Sequence, residues 1–137
     1  MPLILYTTLG TTDMARSTRF YDAVLAPLGY AQNPGTAEDW TAYGAPSYDA
    51  GVSLQICLPF DGQPPSPGNG AMTAFEAKSP AEVRAFHTAA LAHGGTDEGA
   101  PGIRAMYSPD FYVAYVRDPD GNKLACVFHH YDAGRDI

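Results

Sequence analysis

Apolar and polar positions along this chain change period twice, in the same order each time. Residues 3–10, "LILYTTLG", are apolar and Thr-rich, and they lead into "TTDMARSTRFYDAVLAPLG". There Met14, Phe20, Tyr21, Val24 and Leu25 recur at roughly 3.6-residue spacing, Asp13 stands where an N-cap belongs, and Pro27 with Gly29 marks the end. The pattern predicts a strand followed by a helix. Residues 71–78, "AMTAFEAK", and 79–95, "SPAEVRAFHTAALAHGG", repeat it. Ser79, Pro80 and Glu82 form a capping box with Pro at the first helical position, Val83, Phe86, Ala90 and Leu91 make the apolar stripe, and Gly94-Gly95 closes the helix.

Tyr6 lies seven residues before the Asp13 cap and Met72 lies seven before the Ser79 cap, so the halves superpose and an internal duplication is the simplest account. Extended segments follow each helix: "DWTAYGA" and "GVSLQICLP" in the first half, "FYVAYVRD" and "NKLACVFHH" in the second. Strand, helix, then about three strands, twice over, is the expected order. Module one spans about residues 1–60, a Pro- and Gly-rich linker 61–70, module two about 71–130, and a tail 131–137. One domain of 137 residues therefore suffices. Helices on one face of mainly antiparallel strands make it α+β, with the other sheet face free to curl around a cleft.

Composition narrows the function. Apolar residues at 45% and charged residues at 17% describe an ordinary globular chain without an apolar run of membrane length. The chain does not open on a basic stretch followed by an apolar one, so a cytoplasmic location is expected. Fifteen acidic against eight basic residues, net −7, argue against a nucleic-acid partner. Cys57 and Cys126 lie in apolar runs and read as small hydrophobes rather than a disulfide.

"LGTTDMARSTRFYDAVLAPLGY" and "YVRDPDGNKLACVFH", joined by the module repeat, resemble the vicinal oxygen chelate superfamily of glyoxalase I, extradiol dioxygenases, fosfomycin-resistance enzymes and bleomycin-binding proteins. The resemblance runs over about residues 3–130. It implies paired βαβββ modules around a cleft and a divalent Zn, Ni, Fe or Mn held by a His on each module's first strand and a Glu or Gln on each last strand. Carried over by position, the His places fall on Tyr6 and Met72 and the carboxylate places on Gln55 and Ala125. None is His, Asp or Glu. Members of the family often dimerise, so the resemblance makes a homodimer possible, and the sequence decides neither that nor whether modules pair within or between chains.

Strand parity leads to the same positions. If Leu3, Leu5 and Leu9 pack on the helices, Tyr6 faces the cleft; if Leu124, Cys126 and Phe128 do, Ala125, Val127 and His129 face it, and Gln55 does so in "SLQICL". An amide, a phenol, a thioether and a methyl are a poor donor set for a hard or borderline dication, so no metal cofactor is expected. His129 lies four residues beyond Ala125, roughly 13 Å at about 3.3 Å per residue, too far to replace a ligand there, and is instead a candidate ligand contact at the cleft mouth, with His130 facing the other way. His87 and His93 read as structural.

"DPDGN" opens like a calcium loop, but its twelfth position is His129 and a strand follows it at once, so a hairpin turn is the better reading. Trp40, Tyr43, Tyr107, Phe111, Tyr112 and Tyr115 fall in segments expected to form or roof the two half-clefts. If Arg117 pairs with Lys123, Tyr115 lies opposite Ala125 and fills the space a ligating Glu would need. The expected function is binding of a small organic molecule without the family metal, through Tyr6, Gln55, Met72, Tyr115, Ala125 and His129. The alternatives are a metal-free enzyme using Tyr6, with Glu76 or His129, and a metal-dependent lyase or dioxygenase with a non-standard site; a purely structural or protein-interaction role also stays open.

Overall fold

A computed structural model describes residues 3–35 and 37–136. Its strands are β1 (Tyr6–Gly10), β2 (Trp40–Gly44), β3 (Ser53–Cys57), β4 (Thr73–Glu76), β5 (Thr96–Ile103), β6 (Tyr112–Arg117) and β7 (Lys123–Phe128); its helices are α1 (Met14–Leu25) and α2 (Pro80–Ala92). The caps lie where the sequence puts them. Asp13 accepts from Arg16 N and Ser79 from Glu82 N, and a single 3₁₀ turn carries α1 to Gly29, whose φ of 90° suits a residue without Cβ. The reciprocal capping-box bond reaches Lys78 N from Glu82 Oε1, one residue earlier than the motif's usual geometry.

The strands form two sheets that do not close on each other. One has the order β1-β3-β2 and the other β4-β7-β6-β5, with β1 and β4 each running parallel to its neighbour. The α+β arrangement expected is thus built from two mixed sheets that meet at a seam. Among the described residues module one is also a strand short: an isolated bridge from Gln32 to Tyr43 stands where module two carries β5. Asn33 and Pro34 follow that bridge, and a proline cannot extend a ladder.

Both helices pack against each other and on the same side of the sheets. Phe20, Tyr21 and Val24 of α1 and Val83, Phe86 and Ala90 of α2 are fully buried, meeting Leu54, Ile56, Val116, Leu124 and Cys126 from the strands. Burying one such large side chain is worth about 1.5–3 kcal/mol. Three apolar positions depart from expectation. Leu91 is 44% exposed, outside the α2 stripe, while Leu3 and Leu5 precede β1 and do not reach the helices: Leu3 is 99% exposed. Tyr43 and Tyr112 belong to the helix-side core, so they do not roof the cleft.

The "DPDGN" turn clasps the two modules. Asp118 Oδ1 accepts from the Asp120 and Asn122 amides, and its Oδ2 accepts from Tyr21 Oη of α1 at 2.5 Å. Asp120 accepts from Thr11 Oγ1, Thr12 N, Thr12 Oγ1, Arg16 Nη2 and Ser17 Oγ around the start of α1. Those oxygens are spent on donors, as a hairpin reading requires. The linker lies over the same seam, since a Cβ at Gly10 would come within 2.7 Å of Pro65 and one at Gly121 within 3.3 Å of Pro67. The tail docks on module two, with Tyr131 stacked on Tyr112 and Asp136 bound by both Arg84 nitrogens. Among the described residues no helix is long and apolar enough to cross a membrane.

Candidate functional site: two unequal half-clefts

Register fixes which side chains leave the helix-covered side. Thr8 pairs with Gln55 and Ala74 with Ala125, so Tyr6, Thr8, Gln55, Ala74 and Ala125 share the outer sheet face, and Met72 stands just before β4 on the same parity. Tyr6 and Met72 are each two residues from the residue directly beside Gln55 or Ala125. The duplication is visible in the pairs: an offset of 66 residues carries Thr8 to Ala74 and Tyr6 to Met72.

Module one fills the place around Gln55, and a cavity of about 720 Å³ lies farther along, between Trp40, Cys57 and Phe60. Trp40 Nε1 donates to Gln55 Oε1 at 2.9 Å, and because an indole N–H only donates, the amide oxygen is fixed toward it. Gln55 Nε2 contacts Ser53 Oγ at 3.4 Å. Tyr6 stacks on Tyr48 with ring centroids 5.7 Å apart. A cavity of about 260 Å³ remains there, bounded by Trp40, Tyr48, Ser53 and Gln55.

Module two keeps an open half. Its cavity of about 790 Å³ lies between the linker, β5 and the outer face of β6 and β7, with Met72, Arg104, Met106, Tyr107, Tyr115 and Lys123 in its walls. Tyr115 pairs with Ala125, as the Arg117–Lys123 register requires, and Ala125 is buried beside it. Burial pushes the Tyr115 phenol up, neighbouring Tyr107 adds to this and Arg104 opposes it. A further cavity, about 370 Å³ and mostly apolar, opens at the seam between Ile4, Val52, Met72 and Phe75.

Of the six residues expected at the site, Met72 and Tyr115 line one cavity and Gln55 another. Tyr6 is engaged by Tyr48, and Ala125 offers no polar atom. His129 lies beyond the end of β7, exposed, with Nε2 3.2 Å from Glu76 Oε2. His130 does not face away from it: the strand has ended, parity with it, and the two imidazole centroids are 4.1 Å apart. Sequence reasoning missed Trp40 as the partner of Gln55 and Arg104 as a wall residue, because both act across strands.

The residues at the ligand positions do not fit the superfamily's dication. Tyr6 and Gln55 are neutral, Met72 offers a soft thioether, Ala125 has no donor atom, and among the described residues no group of three or more His, Cys, Asp or Glu gathers.

Comparison with known proteins agrees with this architecture. A sequence profile of the Glyoxalase/Bleomycin resistance protein/Dioxygenase superfamily matches residues 3–126. A solved glyoxalase/bleomycin resistance protein from Albidiferax ferrireducens T118 is 38% identical, with a TM-score of 0.81 over 92% of this chain and 98% of its own. A glyoxalase-related enzyme from Fulvimarina pelagi is 23% identical, with a TM-score of 0.71 over 93% of this chain and 88% of that one. A glyoxalase/bleomycin resistance protein/dioxygenase family enzyme from Burkholderia phytofirmans PsJN, 16% identical, superposes with a TM-score of 0.67 over 90% and 95% of the two chains. Among curated proteins none matches.

Proposed function

Because this chain belongs to the glyoxalase/bleomycin resistance protein/dioxygenase superfamily, we propose that it uses the superfamily's cleft to bind a small organic molecule through side chains alone. The observation that carries the reading is the chemistry at the positions carried over from the superfamily's metal site: a neutral amide that accepts from Trp40 in module one and a methyl at the equivalent place in module two. Module two offers a cavity of about 790 Å³, within the size range of small-molecule sites, with aromatic and thioether walls and a few polar groups.

Two measurements test this. Titration of chelator-free protein with Zn, Ni, Mn and Fe should give less than stoichiometric binding; one tightly held dication per chain would overturn the metal-free part. A thermal-shift screen over aromatic, cationic, anionic and dicarbonyl compounds should find a stabilising ligand. At about 100 times its Kd the gain is about 2.7 kcal/mol, a melting shift of roughly 10 °C for a chain of this size. A screen in which no chemical class shifts the melt would refute the binding reading.

A further inference from the structure

We infer that the module-two half-cleft is selective for a planar organic carboxylate, held by Arg104 and Lys123, both of which pack on Tyr115. This rests on the small-molecule reading above and names the ligand's chemistry.

Charge is distributed against the overall composition. The chain carries net −7 and only eight basic residues, yet three of them, Arg104, Arg117 and Lys123, line this one cavity with Glu98 as the carboxylate among them. Glu98 is engaged, because Arg117 Nε donates to it at 2.5 Å. Arg104 and Lys123 pair with no carboxylate among the described residues. Two cations in a half-enclosed space of an acidic protein are thus left for an anion to neutralise, and the surrounding wall strengthens that attraction over its value in open water.

The cations are placed. Arg104 Cζ lies 5.6 Å and Lys123 Nζ 5.4 Å from the Tyr115 ring centroid, within cation–π range. Arg104 Nη2 donates to Ala100 O at 2.8 Å, which fixes the guanidinium while leaving other N–H groups free to donate. Gly99 makes room for the arrangement. A Cβ there would lie 2.9 Å from Tyr115 Cδ2 and 3.0 Å from Arg104 Nη2, so any side chain at this position of β5 would push the ring or the guanidinium aside.

The remaining walls select the ligand's body. Tyr115, Tyr107, Met72 and Met106 present flat or adaptable apolar surface around the two cations. An aromatic ring bearing a carboxylate satisfies both parts, with the carboxylate taken by the guanidinium fork and the ammonium.

The test uses the whole protein in calorimetric titrations with naphthoate, its neutral isostere naphthamide, and naphthylmethylammonium. Naphthoate should bind at least about tenfold more tightly than either, and more weakly as salt rises. Arg104→Gln and Lys123→Met should each reduce naphthoate affinity about tenfold while leaving naphthamide unchanged. Lys78→Met, which removes an exposed cation elsewhere, should change neither. Melting curves of the same variants confirm that they fold. Equal affinity for the carboxylate and the amide, or naphthoate binding indifferent to both cavity variants, would overturn the inference and leave the small-molecule reading standing. Failure of all three probes overturns the inference too, whereas the small-molecule reading falls only if the broad screen is also empty.

Discussion

Replacing Asp120 with alanine removes the acceptor on which five donors from the start of α1 converge: Thr11 Oγ1 at 2.6 Å, Arg16 Nη2 at 2.7 Å, Thr12 N at 3.0 Å, and Thr12 Oγ1 and Ser17 Oγ at 3.2 Å. The carboxylate side chain is only 4% exposed, whereas Arg16 is 38% exposed and can be rehydrated. Breaking a fully buried ion pair costs about 3–5 kcal/mol, and rehydration of Arg16 and the Thr12 amide puts this case near the lower end, about 3 kcal/mol. For a chain of this length that is a fall in Tm of roughly 10 °C. Burial by itself would raise the Asp120 carboxyl, but the Thr11 and Thr12 bonds and the Arg16 charge outweigh it and hold the group below its ordinary value. A depressed carboxylate contributes stability that is complete above the unfolded value, about 3.9, and is lost as pH falls through the folded one. Urea melts of wild type and Asp120→Ala at a series of pH values should therefore show a gap of about 3 kcal/mol at pH 7 that narrows below roughly pH 4. A gap below about 1 kcal/mol, or one that stays constant into acid, would refute the view that this turn clasps the modules electrostatically.

Two further outcomes test the packing. Gly95 lies where a Cβ would meet Ala90 O and Arg117 O, both at 2.8 Å, and Phe20 Cε2 at 2.9 Å, so Gly95→Ala should cost about 1–3 kcal/mol in equilibrium unfolding. A neutral effect would mean that α2 and β6 separate more freely than their contacts imply. Burial, with Glu82 adding to it, pushes the Cys126 thiol up to about 12, so iodoacetamide near pH 8 should leave Cys126 unmodified in the folded protein and alkylate it after unfolding. Cys57, half-buried and raised less by burial and Asp39, should react first, read by peptide mass spectrometry; faster labelling of Cys126 would refute the assignment of that face to the core.

What was legible in the sequence is what local chemistry decides. Asp13 and Ser79 satisfy helix donors a few residues away, so their caps could be read without tertiary information. Alternation in "KLACVF" placed Leu124 and Cys126 on the helix side and Ala125 on the opposite face, because the larger apolar side chains of that strand pack on the helices. β5 was hidden. Its residues Gly99, Pro101 and Gly102 contradict strand propensity, and they are tolerated because β5 is an edge strand with two register shifts. The Trp40–Gln55 bond was equally invisible, since it joins side chains of paired strands fifteen residues apart. Leu3 and Leu5 misled because parity was extended past the end of the ladder, and the same error placed His130 on the wrong side.

The two half-clefts show how one duplicated unit comes to have unlike halves. Thr8 with Gln55 and Ala74 with Ala125 occupy equivalent register positions, so the backbone offers the same place twice. In module one bulky partners fill it: Trp40 takes the Gln55 oxygen and Tyr48 covers Tyr6. In module two the outward residues at that place are two alanines, and the extra strand β5 brings Gly99 and the residues leading to Arg104 over Tyr115. Small side chains leave volume, the additional strand supplies a wall, and the cations on that wall give the volume a sign. A ligand that needs charge neutralisation and a flat apolar contact at once therefore has one suitable half of this cleft to enter, and exchanging wall residues between the halves should move the preference with them.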